Sequence, residues 1–467
     1  MSHRDETLPH IIVDGRDMDT KFRIVLLGVS TLETVRLSGR IEVEFSVFVL
    51  RLRRQPDGRF LPADTIEECN EQGHYYNMAS DLHALMWDWT CVFEDSVAVL
   101  ATSTSIPSEN VLHGRGKLAA SMHIRCRVPR GVPLLKDGGF DVKLSPSGGA
   151  RPVMNPHEKY ELVSEPPPFS WKLNLCASPV SEKPMQVLGC SQTLHSLQNI
   201  KRRYPRGAQR WLEHHLKAGV GNMHIYDVDG SFADDVLPYE FAGTVSYFER
   251  FPETVAPELI YLAQNGCELG AEQLAMDHCL QRARGRSVWG ATIFAPHYYL
   301  RSQDPAENEF VGQANSLSSW LRKEAWEPWV VGYTLASWPM GGFLNRGEDI
   351  VSDDPVERFV HAAPEERRLA NGAVKAGLVF FRPLASEVID CHRLIPKPGD
   401  YIVVDMPPDI WRGNWYADFL TDESDEARCP QCSILDTTLR DQTRVLDGMV
   451  DASFGFADRN ADDDGAE

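Results

Sequence analysis

The chain has 467 residues, 43% of them hydrophobic and 24% charged, enough for about three domains or two larger ones and incompatible with a wholly disordered or fibrous protein. Lys and Arg total 47 against 67 Asp and Glu, a formal net charge of −20, which argues against general binding to nucleic-acid backbones. One small phosphate ligand, held by a metal ion or a local basic pocket, stays compatible with that charge.

In chain order, residues 1–165 read as a β-rich N-terminal domain. Arg40 to Arg54 carries Ile41, Val43, Phe45, Val47 and Val49 at period two, the pattern of a half-buried strand. Ser96 to Ser103 and Lys117 to Val128 read alike, and a helical turn is expected around Asp81 to Trp87. Residues 129–170 are rich in Pro and Gly, and the Pro166–Pro168 run sets the expected domain boundary. From Trp171 strands and helices alternate. Lys172 to Ala177 is a short strand. Gln209 to Ala218 is a helix with Trp211, Leu212, His215 and Leu216 on one face, closed by Gly219. The strand Asn222 to Tyr226 runs into Asp227-Val228-Asp229-Gly230, and Val245 to Phe248 is a further strand. Ala271 to Arg284 is a helix, Val288 to Phe294 an apolar strand, and Leu378 to Phe381 and Tyr401 to Val404 are later strands. The alternation predicts an α/β domain over 171–450, a mixed sheet flanked by helices. The acidic residues 451–467 read as a disordered tail.

Four places could carry chemistry. Asp227 and Asp229 follow a strand, where open α/β sheets bind ligands, and an i, i+2 carboxylate pair can hold Mg²⁺ or Mn²⁺ on a diphosphate. The same residues also suit a plain Asx-turn. Cys429-Pro430-Gln431-Cys432 lacks a second cysteine pair for zinc, with Cys391-His392 the nearest complement. His297 lies just past the Val288–Phe294 strand and suits a metal or phosphate contact, or a structural role. Lys375, Arg382 and His392 surround the late strand and could neutralise a diphosphate. Ten cysteines are too sparse for a disulfide scaffold, and their even count permits disulfides without requiring them.

Arg210-Trp211-Leu212-Glu213-His214-His215-Leu216-Lys217-Ala218-Gly219-Val220, followed by His224-Ile225-Tyr226-Asp227, resembles glycosyltransferase family 92. Val236-Leu237-Pro238-Tyr239 with Gly243-Thr244-Val245 is similar to that family's next segment. Gln273 to Arg284 is similar to its helix, and Lys375-Ala376-Gly377-Leu378-Val379 through Pro383 and His392 to its later stretch. The likeness spans roughly residues 172–420. It implies a GT-A-like fold and hexosyl transfer, galactose in the known cases, from a UDP-sugar to a glycan acceptor, commonly with Mn²⁺. It places Tyr226 and Asp227 near the nucleotide and Asp277 and Gln273 on the helix beneath the donor. Lys375 and His392 become candidates for the diphosphate or the metal. Asp227, Asp229 and Asp277 are the carboxylates to test as catalytic groups.

One departure bears on mechanism. Where the family carries an Asp-x-Asp-Glu metal motif, this chain has Phe294 and Pro296 at the two Asp positions and His297 at the Glu position. The late His-Tyr pair is replaced by Trp415-Tyr416. Three outcomes stay open. Asp227, Asp229 and His297 take over the metal; or Lys375, Arg382 or His297 counters the UDP charge without metal; or the chain is an inactive relative that binds glycan or a partner. The resemblance implies a Golgi or secretory location. The sequence itself shows no membrane span, no signal-peptide core (Ile24 to Val29 is too short) and no Asn-x-Ser/Thr sequon.

Overall fold

The computed structural model describes residues 8–14, 19–34, 40–62, 88–105, 119–132, 140–147, 169–175, 184–202, 204–264, 269–302, 316–323, 327–341, 361–362, 376–389, 394–397, 399–408, 410–416 and 434–435. The N-terminal part contains strands β1 (His10–Asp14), β2 (Thr20–Thr34), β3 (Arg40–Arg54), β4 (Phe60–Leu61), β5 (Asp88–Phe93), β6 (Val97–Leu100), β7 (Ser103–Ser105), β8 (Ala119–Arg127), β9 (Phe140–Ser147) and β10 (Trp171–Leu175). They form two antiparallel sheets, one running β1-β2-β3-β8-β7 and the other β10-β9-β5-β6. The sheets face each other across a core of Phe22, Ile24, Val43, Phe45, Val47, Trp89, Phe93, Ile124, Val142 and Trp171. Period-two alternation supplies one inner face per strand, so a sandwich is the natural packing. A disulfide, Cys91–Cys126, ties β5 to β8 across that core.

Two expectations change here. Trp171 to Leu175, expected to open the α/β part, pairs instead with β9 of the sandwich. β3 is buried on both faces. Its Val43, Phe45, Val47 and Val49 fill the sandwich, while Glu44, Ser46, Phe48, Leu50 and Leu52 are buried on the opposite side. The Phe45–Leu50 stretch has apolar residues of both parities, and such a run is what a doubly covered strand requires.

The second unit contains strands β11 (Met185–Leu194), β12 (Asn222–Asp227), β13 (Val245–Glu249), β14 (Ser287–Phe294), β15 (Tyr298–Ser302), β16 (Val330–Gly341), β17 (His361–Ala362), β18 (Ala376–Phe381), β19 (Ser386–Ile389), β20 (Leu394–Pro396), β21 (Ile402–Met406), β22 (Trp411–Tyr416) and β23 (Ile434–Leu435). Its helices are α1 (Leu197–Lys201), α2 (Gly207–Ala218), α3 (Ala233–Phe241), α4 (Pro257–Gln264), α5 (Leu269–Ala283) and α6 (Ser316–Lys323). The main sheet runs β13-β12-β11-β14-β18-β16, with β21 and β22 beyond β16. β11 to β14 are mutually parallel, β18 is antiparallel to both neighbours, and β16 pairs in parallel with β21 and β22. The protein is therefore mixed α/β and strand-rich, with curled sheets.

Helix α2 ends as its sequence predicts. Gly219 takes φ 109, and its N–H closes on Leu216 O. Gly290 in β14 lies beneath the Phe381 ring, where an added Cβ would sit 2.1 Å from a ring carbon. Helix α5 lies between the two units. Cys279 bonds Cys190 of β11 on one side, and Gln281 reaches Gly28 of β2 on the other. Among the described residues no helix is long and apolar enough to cross a membrane.

Candidate functional site

The strand order reverses at one place in the parallel sheet. The chain moves outward from β11 to β12 and β13, then returns to β14 on the other side of β11. Ligands of open α/β sheets bind beyond the strand C-termini at such a reversal. The rim there is built by Leu194–Ser196 after β11, Asp227–Gly230 after β12, Arg250 after β13 and Phe294–His297 after β14.

Five non-glycine residues have positive φ among those described. Glu94 and Asp95 form the β5–β6 hairpin turn. The other three are Ser196 (φ 56), Arg250 (φ 53) and Phe294 (φ 51), each at the C-terminal end of a parallel strand. Left-handed backbone in residues other than glycine is costly and concentrates at functional sites.

Asp227 organises the β12 end of this rim. It is buried, and its Oδ1 accepts the N–H groups of Asp229 (3.2 Å) and Gly230 (3.0 Å). Its Oδ2 accepts the Phe232 N–H (2.8 Å) and the Tyr247 hydroxyl (2.6 Å). Four donors fill a carboxylate's four acceptor positions. Burial raises the Asp227 pKa to about 6, and the neighbouring Asp229 carboxylate adds to the rise. Asp229 is exposed, and its Oδ2 accepts the Ser196 N–H (2.8 Å) while Oδ1 accepts that of Ser231 (3.1 Å). These donors hold the Asp229 carboxyl below its usual range against the opposing effect of burial. The Asx-turn reading of this segment is thus realised, and it welds the ends of β11 and β12 together.

A divalent-cation site built on Asp227 does not fit this geometry. Its oxygens are committed to the loop, and among the described residues no group of three His, Cys, Asp or Glu side chains stands close enough to hold a metal ion.

The remaining expected residues separate. Tyr226 is buried on the α5 side, its hydroxyl 2.9 Å from His278 Nδ1 and its ring stacked on Phe248. Gln273 donates to Asp277 (3.0 Å) and to Ile389 O (3.2 Å). Asp277 also accepts the Ser121 hydroxyl of β8, so both residues fasten α5 to its surroundings, and Asp277 fastens it to the sandwich. His297 is half-buried on the rim, its carbonyl accepting the Tyr416 N–H at 2.9 Å, and Trp415 pairs with Tyr298. The Phe294–His297 and Trp415-Tyr416 segments therefore lie side by side. Arg382 is elsewhere. Phe381 pairs with Gly290, and the Arg382 guanidinium lies 4.7 Å over Trp289, five residues or about 16 Å of strand from Phe294. Lys375, His392 and Cys429–Cys432 lie outside the described residues.

Sequence reading missed Ser196, Tyr247 and Arg250. Their roles come from backbone geometry and long-range bonds that leave no local pattern. No family model matches the chain, and no curated protein matches it.

Proposed function

We propose that the chain is a glycosyltransferase-like protein of the family 92 kind, transferring a sugar such as galactose from a UDP-sugar to a glycan acceptor. The observation that carries this reading is the clustering of strained non-glycine residues, Ser196, Arg250 and Phe294, at one C-terminal rim of the parallel sheet. That rim also collects Asp227, which the resemblance puts near the nucleotide, its neighbour Asp229, and the His297 and Trp415-Tyr416 segments, where the sequence differs from the family pattern. The mixed sheet with one antiparallel strand beside the reversal suits a GT-A-like domain.

In this reading Asp227 holds the loop and Asp229 lies exposed on the rim. Asp229 orients, and takes the proton from, the acceptor hydroxyl as it attacks the anomeric carbon. The bond from that carbon to the UDP oxygen breaks, and His297 is the rim group placed to counter the charge of departing UDP. Arg382 lies too far along the sheet for that task. The two disulfides among the described residues fit an oxidising compartment, in keeping with the secretory location that the resemblance implies.

A second reading, a non-catalytic glycan- or partner-binding protein on the same fold, is favoured by the filled Asp227 carboxylate and by Phe294 and Pro296 at the metal positions. UDP release from UDP-galactose, with and without a glycan acceptor, separates the two. Asp229→Asn, whose amide keeps an acceptor for the loop N–H groups but cannot take a proton, is expected to lower kcat by about 10²-fold or more, while Asp229→Ala loses both turnover and the bonds to Ser196 and Ser231. Turnover unaffected by Asp229→Asn overturns the role of Asp229. Absence of turnover in the wild-type chain selects the second reading.

A further inference from the structure

The opposite end of the sheet holds a cavity of about 520 Å³, within the range of small-molecule sites. It opens beside the N-terminal ends of β11 and β14 and is walled by Trp289, Arg322, Arg382, Leu384 and Tyr401. Val288, Leu384 and Tyr401 are large apolar or aromatic side chains left 41%, 49% and 39% exposed at this place. The chain carries 67 acidic residues, yet no Asp or Glu is among the described residues that line the cavity, while two arginines are. The Arg382 guanidinium carbon lies 4.7 Å over the centre of the Trp289 ring. Cation–π attraction to an indole restrains a guanidinium while leaving its fork of N–H donors able to grip a carboxylate or phosphate at two points.

We propose that this cavity binds a small organic anion, a carboxylate or phosphate carried on a ring with an apolar face. Arg382 and Arg322 meet the charged group, and Tyr401 and Leu384 cover the ring. The site stands apart from the C-terminal rim and does not depend on the sugar-transfer reading.

Calorimetric titration with 4-nitrophenyl β-glucuronide, 4-nitrophenyl phosphate and the neutral 4-nitrophenyl β-glucoside tests this. The two anionic probes distinguish a carboxylate from a phosphate ligand. At least one is expected to bind tenfold or more tighter than the glucoside. Arg322→Ala and Arg382→Ala are each expected to weaken that anion about tenfold and to leave glucoside binding within twofold. Saturating UDP is expected to leave the anion's affinity unchanged. Equal affinity for charged and neutral probes, no binding of either anion, insensitivity to both substitutions, or competition by UDP overturns the proposal. Arg322 is exposed on the last turn of α6, so Arg322→Ala and Arg322→Glu keep the test decisive if Arg382→Ala fails to fold.

Discussion

Glu44→Ala is expected to destabilise the folded chain by about 3–5 kcal/mol, the range for removing one partner of a buried ion cluster. Glu44 is fully buried on the outer face of β3 and is met from three elements. Arg284 Nη1, just past the end of α5, donates to Oε1 at 2.6 Å, and Arg125 Nε of β8 donates to Oε2 at 2.7 Å. Lys397 Nζ stands 3.5 Å from Oε1, an ion-pair distance beyond a good hydrogen bond. Arg125 also reaches Glu387 at 3.2 Å, so three buried or nearly buried cations share two carboxylates. Losing Glu44 leaves the Arg284 and Arg125 guanidinium groups with Glu387 alone. Urea unfolding at pH 7.5 measures the cost, and a loss below about 1 kcal/mol would contradict the arrangement.

The same cluster fixes a pH signature. Burial opposes ionisation of Glu44, yet the cations around it together hold its carboxyl well below the usual range. Its stabilisation is present above the unfolded pKa and is lost as pH falls below about 4.5. Lys397 runs the other way, with burial and then the nearby Arg284 lowering its pKa to about 7. Between about 7 and the ordinary 10.5 the unfolded chain binds a proton there that the folded chain does not. Stability from Lys397 therefore rises with pH across that window. His123 beside them is kept neutral by burial, its pKa lowered to about 3.

Asp227→Ala is the second large effect, a loss of about 3 kcal/mol, because it strands buried N–H and O–H donors at roughly 1–3 kcal/mol each. Asp227→Asn separates hydrogen bonding from charge. The folded-state pKa of about 6 lies above the ordinary 3.8, so the proton's contribution is complete below 3.8 and lost as pH rises through 6. The asparagine variant lacks this term. The stability gap between wild type and Asp227→Asn is expected to be wider at pH 4.5 than at pH 8, by about 1–2 kcal/mol. Urea midpoints at the two pH values read it directly, and a gap independent of pH would contradict the buried, loop-bound carboxylate.

Local pattern revealed much of this fold. The alternation over Arg40–Arg54 gives β3, the apolar face and Gly219 give α2, and the run ending at Phe294 gives β14. What local pattern could not give is pairing across the chain. Trp171 to Leu175 has a strand's composition, but only its partner β9 shows that it closes the sandwich. Cys190 meets Cys279 across 89 residues, and Ser121 meets Asp277 across 156. The same limit applies at the site. Asp227 and Asp229 were visible as a carboxylate pair after a strand, while their engagement by Ser196 and Tyr247 was not. Arg382 follows β18 in sequence, and only the antiparallel direction of that strand carries it away from the C-terminal rim.

Calorimetric titration of the full chain with UDP, in the presence and absence of Mn²⁺, tests directly for a nucleotide-sugar site at the C-terminal rim. Micromolar binding that changes little with Mn²⁺ is expected, because the Asp227 oxygens are committed to their loop and to Tyr247. Binding that requires Mn²⁺ would contradict that assignment of Asp227, and no binding under either condition would contradict the placement of a nucleotide-sugar site at the C-terminal rim.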